Sequence, residues 1–126
     1  MIDDYNQAME LMNKMESQFP IPVRPTGPYI RMMRERGIKI KRNERLQIKR
    51  VLYLGDEGGI ICDVTPNPDA KEVYLVSLTH LEVEQHHPLA RDIRAYQKKR
   101  NRRIAQSNQS GQPGSFTIFP DKKRKR

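Results

Sequence analysis

The chain reads as a small α+β protein: an antiparallel β-meander flanked by an N-terminal helix, a short second helix and a basic C-terminal helix, with a flexible tail. Three observations predict this. Apolar residues recur at helical spacing near both ends of the chain, and they alternate with period two through its middle. A glycine-rich turn, Gly55-Asp56-Glu57-Gly58-Gly59, separates two of the alternating runs. Beyond residue 105 the composition turns to Gln, Ser, Asn, Gly and Pro, which favours linker over core. Residues 1–105 are therefore expected to form a single α+β domain and 106–126 a flexible linker with a basic tail.

Residues 3–18 suit an amphipathic helix, with Asp3 or Asp4 as its cap and Tyr5, Met9, Met12 and Met15 on a stripe beside Ala8 and Leu11. Such a stripe packs on a core, although methionines also adapt readily to a partner. Pro20, Pro22, Pro25 and Pro28 hold the next stretch extended. A short helix follows from Pro28 to Arg36, where Pro28 suits the first turn and Gly37 the C′ position. Ile38 to Lys41 alternates as an edge strand or an extended arm. Leu46 to Leu54 alternates clearly, placing Leu46, Ile48, Leu52 and Leu54 on one face and Gln47, Lys49, Val51 and Tyr53 on the other.

After the glycine-rich turn, Ile60 to Thr65 forms a second strand, residues 66–70 a second turn, and Val73 to Val83 a longer third strand. Both faces of these two strands carry apolar residues, so helices or a partner should cover both. Pro88 can open the C-terminal helix, which reaches Ala105. Its apolar set is thin: Leu89, Ala90, Ile93, Tyr96 and Ile104. Residues 98–103 are accordingly expected to project into solvent or into a partner.

Length and composition bound the function. With 126 residues, 36% of them hydrophobic and no Trp, the core is small and a large ligand cavity is not expected. One cysteine, Cys62, excludes an intramolecular disulfide. No apolar run approaches the roughly 20 residues of a membrane span, and the acidic start lacks a secretory h-region. A cytoplasmic protein without an integral membrane segment is the expectation.

Charge is the most informative property. The total is +9, but it is segregated: residues 23–50 carry net +8, residues 51–90 net −6, and residues 91–105 net +6. Blocks of one sign create local fields that attract a polyanion or an acidic partner. The candidate binding residues are Arg31, Arg34, Arg36, Lys39, Lys41, Arg42, Arg45, Lys49 and Arg50 in the first block. In the second they are Arg91, Arg94, Lys98, Lys99, Arg100, Arg102 and Arg103. Arginine favours bidentate contact with phosphate or carboxylate, and clustered cations release counterions from nucleic acid. The partner implied is RNA or DNA, or an acidic protein surface, with RNA favoured because no major-groove reading helix is identifiable. An interleaved aromatic platform, a helix-turn-helix, a GXXG loop and a Walker motif are all missing.

Other chemistry has weaker grounds. Asp56, Glu57, Asp63, Asp69 and Glu72 gather around the two turns, as carboxylates holding Mg²⁺ would, yet Asp63 is better placed to pair across the sheet with Lys49 or Arg50. His80, His86 and His87 lie near Glu82 and Glu84, but a zinc site needs three or four converging ligands, and His87 beside Pro88 suits the helix entry. Cys62 alternates with core residues. No catalytic residue, metal or cofactor is assigned. The segment Phe116-Thr117-Ile118-Phe119 is different: Phe116, Ile118 and Phe119 make an apolar docking peptide, able to add to a partner's sheet or to fold back on this protein's own.

Overall fold

The computed structural model describes residues 3–66, 69 and 72–109. The order of elements is helix α1 (Tyr5–Glu16), strand β1 (Ile21–Pro25), helix α2 (Gly27–Glu35), and strands β2 (Leu46–Ile48), β3 (Arg50–Tyr53), β4 (Ile60–Asp63), β5 (Leu75–Ser77) and β6 (Leu81–Val83). The long helix α3 (Ala90–Gln109) ends the described chain. The α+β class and all three helices agree with the sequence pattern. The strands do not form one meander.

Two three-stranded antiparallel sheets are present, ordered β2–β1–β6 and β3–β4–β5. The chain passes from β2 to β3 across Lys49 alone, and from β5 to β6 through a 3₁₀ turn at Leu78–His80. β1 pairs with both β2 and β6 while β4 pairs with both β3 and β5, and the chain itself joins the two sheets at two places, from β2 into β3 and from β5 into β6. Each long strand read from the sequence is therefore two short strands, one in each sheet. Val73 to Val83 breaks at the 3₁₀ turn, where the Ser77 hydroxyl accepts from the Thr79 amide.

The break in Leu46–Leu54 is a change of phase. Asp63 stands opposite Arg50, yet its carbonyl also accepts from the Lys49 amide at 3.0 Å. Two residues thus oppose one, as in a β-bulge. Leu46 and Ile48 point inward, Lys49 and Arg50 both point out, and thereafter Val51 and Tyr53 face the core. Leu52 and Leu54, expected to share a face with Leu46 and Ile48, are 37% and 54% exposed. Covering of both faces holds for β4, which is buried throughout, but not for β5, where Leu75 is exposed.

The proline-rich stretch holds a central strand rather than only an extended linker. Pro22 aligns with Gln47 of β2 and lies outside the β6 register, whereas Pro25 aligns with Leu81 of β6 and lies outside the β2 register. Each proline therefore has one neighbour only, the condition under which a strand tolerates a missing N–H donor. Ile38 to Lys41 is the extended arm: Ile40 is buried and Ile38 half-buried without any ladder.

Local chemistry explains the helices. Asp4 caps α1 by accepting from the Gln7 amide, and Ala8, Leu11 and Met15 are buried, while Tyr5 is exposed. Thr26 caps α2, and its C-terminus closes through Gly37 at φ +82°. The Gly37 amide donates to the Arg34 carbonyl and the Ile38 amide to that of Met33, a complete Schellman motif. The core lies between the sheets and these helices, with Ile21, Ile48, Ile60, Leu78 and Ile93 fully enclosed.

Candidate functional site

Helix α3 carries the whole second basic block, and its residue spacing sorts that block into three sets. At 3.6 residues per turn, Arg91, Arg94, Lys98 and Arg102 fall within an arc of about 80°. All four are exposed. The opposite face holds Leu89, Ile93, Tyr96 and Arg100, of which Leu89, Ile93 and Arg100 are buried. Between them, half-buried Lys99 and Arg103 look toward α1 and line a groove of about 360 Å³ with Asp4, Gln7, Lys14 and Asp92.

Arg100 overturns its assignment as a binding residue. Its side chain is 3% exposed, and it donates to Asp3 Oδ2 at 2.8 Å and to the Asp56 carbonyl at 2.9 Å. The same carboxylate oxygen accepts from the Tyr53 hydroxyl at 3.0 Å and the Tyr96 hydroxyl at 3.4 Å, and Tyr96 in turn accepts from the Ile60 amide. Charge-assisted bonds of this kind can hold a buried pair where apolar contact is scarce. The expected projection of residues 98–103 is thus half correct: the helix stands clear on one side and is bolted to the fold on the other.

Further polar anchors follow the same logic. Gln97 Nε2 donates at 2.7 Å to the carbonyls of both Leu78 and Leu81, where the 3₁₀ turn leaves the ladder. His87 Nδ1 accepts from the Leu89 amide at the helix entry, as its place beside Pro88 suggested. Gly59, with φ +67°, passes so close beneath α3 that a Cβ there would strike the Tyr96 hydroxyl. Burial pushes the Tyr96 phenol well up, and pushes Tyr53 up to about 12, with the Asp3 carboxylate adding to the effect in both.

The first basic block is distributed over several elements. Arg31 and Arg34 project from α2, Arg36 is its C-cap, Lys39, Lys41 and Arg42 are exposed along the arm, and Arg45 makes an exposed 3.7 Å pair with Glu84. Lys49 and Arg50 sit at the strand switch. Arg50 grips Asp63 Oδ2 through Nε and Nη2 at 3.1 and 2.9 Å, while Lys49 Nζ donates to the Thr65 carbonyl. These two cations serve the fold as much as any ligand.

The carboxylates do not converge. Asp63 spends Oδ1 on the Thr65 hydroxyl and amide and Oδ2 on Arg50. Burial pushes its carboxyl up, but the Thr65 hydrogen bonds and the Arg50 guanidinium outweigh that and hold it below the usual carboxylate range. Among the described residues no group of three or more His, Cys, Asp or Glu stands where it could hold a metal ion. Cys62 is buried, and desolvation alone pushes its thiol up. Among the described residues no helix is long and apolar enough to cross a membrane.

No protein-family model, curated protein or solved structure matches the chain. A second, shallow groove of about 790 Å³ flanks the start of α3 and is lined by Gln85, His87, Pro88, Arg91, Arg94 and Lys98, with Asp92 the one acid among its described lining residues. Arg91, Arg94 and Lys98 of the outer set thus border a concave, positively charged surface. Phe116, Ile118 and Phe119 lie outside the described residues. Sequence reasoning missed Asp3, Gly59 and Gln97 as anchors, and it missed the outward turn of Leu52 and Leu54. For the last a signal existed: Lys49 and Arg50 are two successive charged residues in an alternating run.

Proposed function

We infer that this chain is a small, non-enzymatic protein that binds the phosphate backbone of nucleic acid, with RNA favoured over DNA. The observation that carries the reading is the ridge on α3. Arg91, Arg94, Lys98 and Arg102 are exposed, aligned, and make no ion pair among the described residues. The helix could have spent them on neighbouring carboxylates, as it spends Arg100 on Asp3, but it leaves them to solvent. From Arg91 to Arg102 the ridge is about 16 Å long, and duplex DNA presents one negative charge per roughly 1.7 Å of axis. Several phosphates therefore fit along it.

Such contact is backbone recognition: cations and phosphate oxygens pair without reading bases. Arg31, Arg34, Lys39 and Lys41 extend the positive surface on a different part of the fold. Binding to generic duplex RNA, single-stranded RNA and duplex DNA across a salt series tests the reading. If 6–10 phosphates are neutralised, affinity falls by about 10³–10⁵ between 50 and 200 mM salt. Absence of binding at low salt removes the proposal. An acidic protein partner would use the same ridge, and binding confined to a protein polyanion would favour that second reading.

A further inference from the structure

The outer face of the β3–β4–β5 sheet carries exposed apolar residues on its two flanking strands, while Ile61, Asp63 and Ser77 on the same face are buried. Cross-strand registers place Leu52, Ile61 and Ser77 in one row and Arg50, Asp63 and Leu75 in the next. Directly opposed residues share a face, and Leu52 and Leu75 are exposed, so both rows look outward. Ile61 stands apart from the core cluster, under Gly58 at the edge of the hairpin. Leu54 extends this surface toward the hairpin turn, and Val73 extends it toward the β4–β5 turn. Leu54, Val73 and Leu75 are each about half exposed, at 54%, 57% and 48%. Open apolar surface of this kind ordinarily meets an occupant.

We propose that the occupant is the chain's own segment Phe116–Phe119, laid across the exposed Leu52 and Leu75 in the same molecule. Reach supports it. Arg100 is tied to the hairpin at the Asp56 carbonyl, so the helix end at Gln109 lies only about 14 Å further along the α3 axis. Residues 110–115 span up to about 20 Å when extended, enough to return to the hairpin, where the exposed face begins at Leu54. Four extended residues cover about 13 Å, comparable to the four residues of β3.

Reach sets the direction: entering at the hairpin and running along the sheet, the chain brings Lys122 to Arg126 to the far end, where Asp69 and Glu72 stand against Lys49 and Arg50. The alternation of Phe116, Ile118 and the neighbouring Thr117 lets one side of the segment meet the leucines while the other stays wet. This inference does not rest on the nucleic-acid reading, because the ridge on α3 is not part of it.

The experiment uses the full chain carrying Ser115→Cys and a nitroxide label, Cys62 being buried and protected. Isotope-labelled protein at low concentration should show strong paramagnetic broadening of the Leu52 and Leu54 methyl signals. A label at Lys125→Cys should instead broaden Leu75 and Glu72. Adding Phe116→Ser, Ile118→Ser and Phe119→Ser to the first labelled chain should abolish the effect, and Leu52→Asp should do so from the sheet side. Unchanged broadening in the serine variant would reduce the effect to mere proximity of the tether and overturn the proposal. So would broadening transferred between labelled and unlabelled copies in a mixed sample, which would mean docking onto a second molecule.

Discussion

Arg100 and Arg102 are the same residue type, two positions apart on one helix, and they do opposite things. Arg100 is buried against Asp3, while Arg102 points into solvent from the far side of α3. The inner face of the helix is held by a relay of polar contacts, namely Tyr96 to Ile60, Gln97 to Leu78 and Leu81, and Arg100 to Asp3 and Asp56. The outer face holds cations that form no ion pair among the described residues. A basic helix poor in apolar residues is thus explained twice over: half of its polarity replaces packing, and the other half remains for a partner.

The comparison breaks most visibly at Arg100. Replacing it with Met keeps the volume and leaves the Asp3 carboxylate buried without its cation, which costs about 3–5 kcal/mol. Urea unfolding followed by circular dichroism reads this directly. Pairing Arg100→Met with Asp3→Leu should recover much of the loss, since a buried pair can be exchanged for apolar groups at little cost. A single variant as stable as the parent would mean that the pair is ornamental.

Gly59→Ala is expected to follow, at about 2 kcal/mol or more. The left-handed backbone alone costs an L-residue about 1–2 kcal/mol. The new methyl also displaces the Tyr96 hydroxyl from the Ile60 amide. Gly55 has nearly the same φ with open space around it, so Gly55→Ala should show the backbone cost without the collision. Equal losses at the two glycines would deny that α3 is seated on the hairpin.

A third effect is pH-dependent. The Asp63 carboxyl is held below its ordinary value by Thr65 and Arg50 against the opposing push of burial. A depressed folded-state pKa means that the unfolded chain takes up the proton first. The stabilisation is therefore present above the unfolded value near 3.9 and fades as pH falls below it. Asp63→Asn should flatten the acid limb of stability below about pH 4. At the alkaline end the raised Tyr53 and Tyr96 phenols act with the other sign: their contribution is intact below about pH 10 and lost as pH climbs further.

How much of this was legible depended on range. Elements set by neighbours in sequence were readable: a cap at Asp3 or Asp4, a short helix over Pro28–Arg36 with Gly37 at C′, the glycine hairpin, and the pairing of Asp63 with Lys49 or Arg50. Elements set by partners far along the chain were not. The burial of Arg100 depends on a carboxylate 97 residues upstream, and no local pattern marks an arginine as internal. β1 hid because two prolines in five residues speak against a central strand, and only the staggered registers of β2 and β6 make them tolerable. The switch at Lys49 was half visible, since alternation that stumbles over two charges signals a change of sheet.

The smallest effect on stability is expected on the outer face, and it is the most telling. Arg102→Ala removes an exposed side chain with no ion pair among the described residues, so unfolding should move by no more than about 0.5 kcal/mol. If the ridge contacts phosphates, the same substitution weakens polyanion binding for all sequences alike and lowers the slope of log affinity against log salt by about one. Arg94→Ala and Lys98→Ala should each repeat this, and the triple change should lower the slope furthest, short of strict additivity because residues four apart on a helix are neighbours. A sequence-selective loss would instead mean base reading. Binding that survives the triple change while stability stays intact would move the interface off α3 and onto the cations of α2 and the arm.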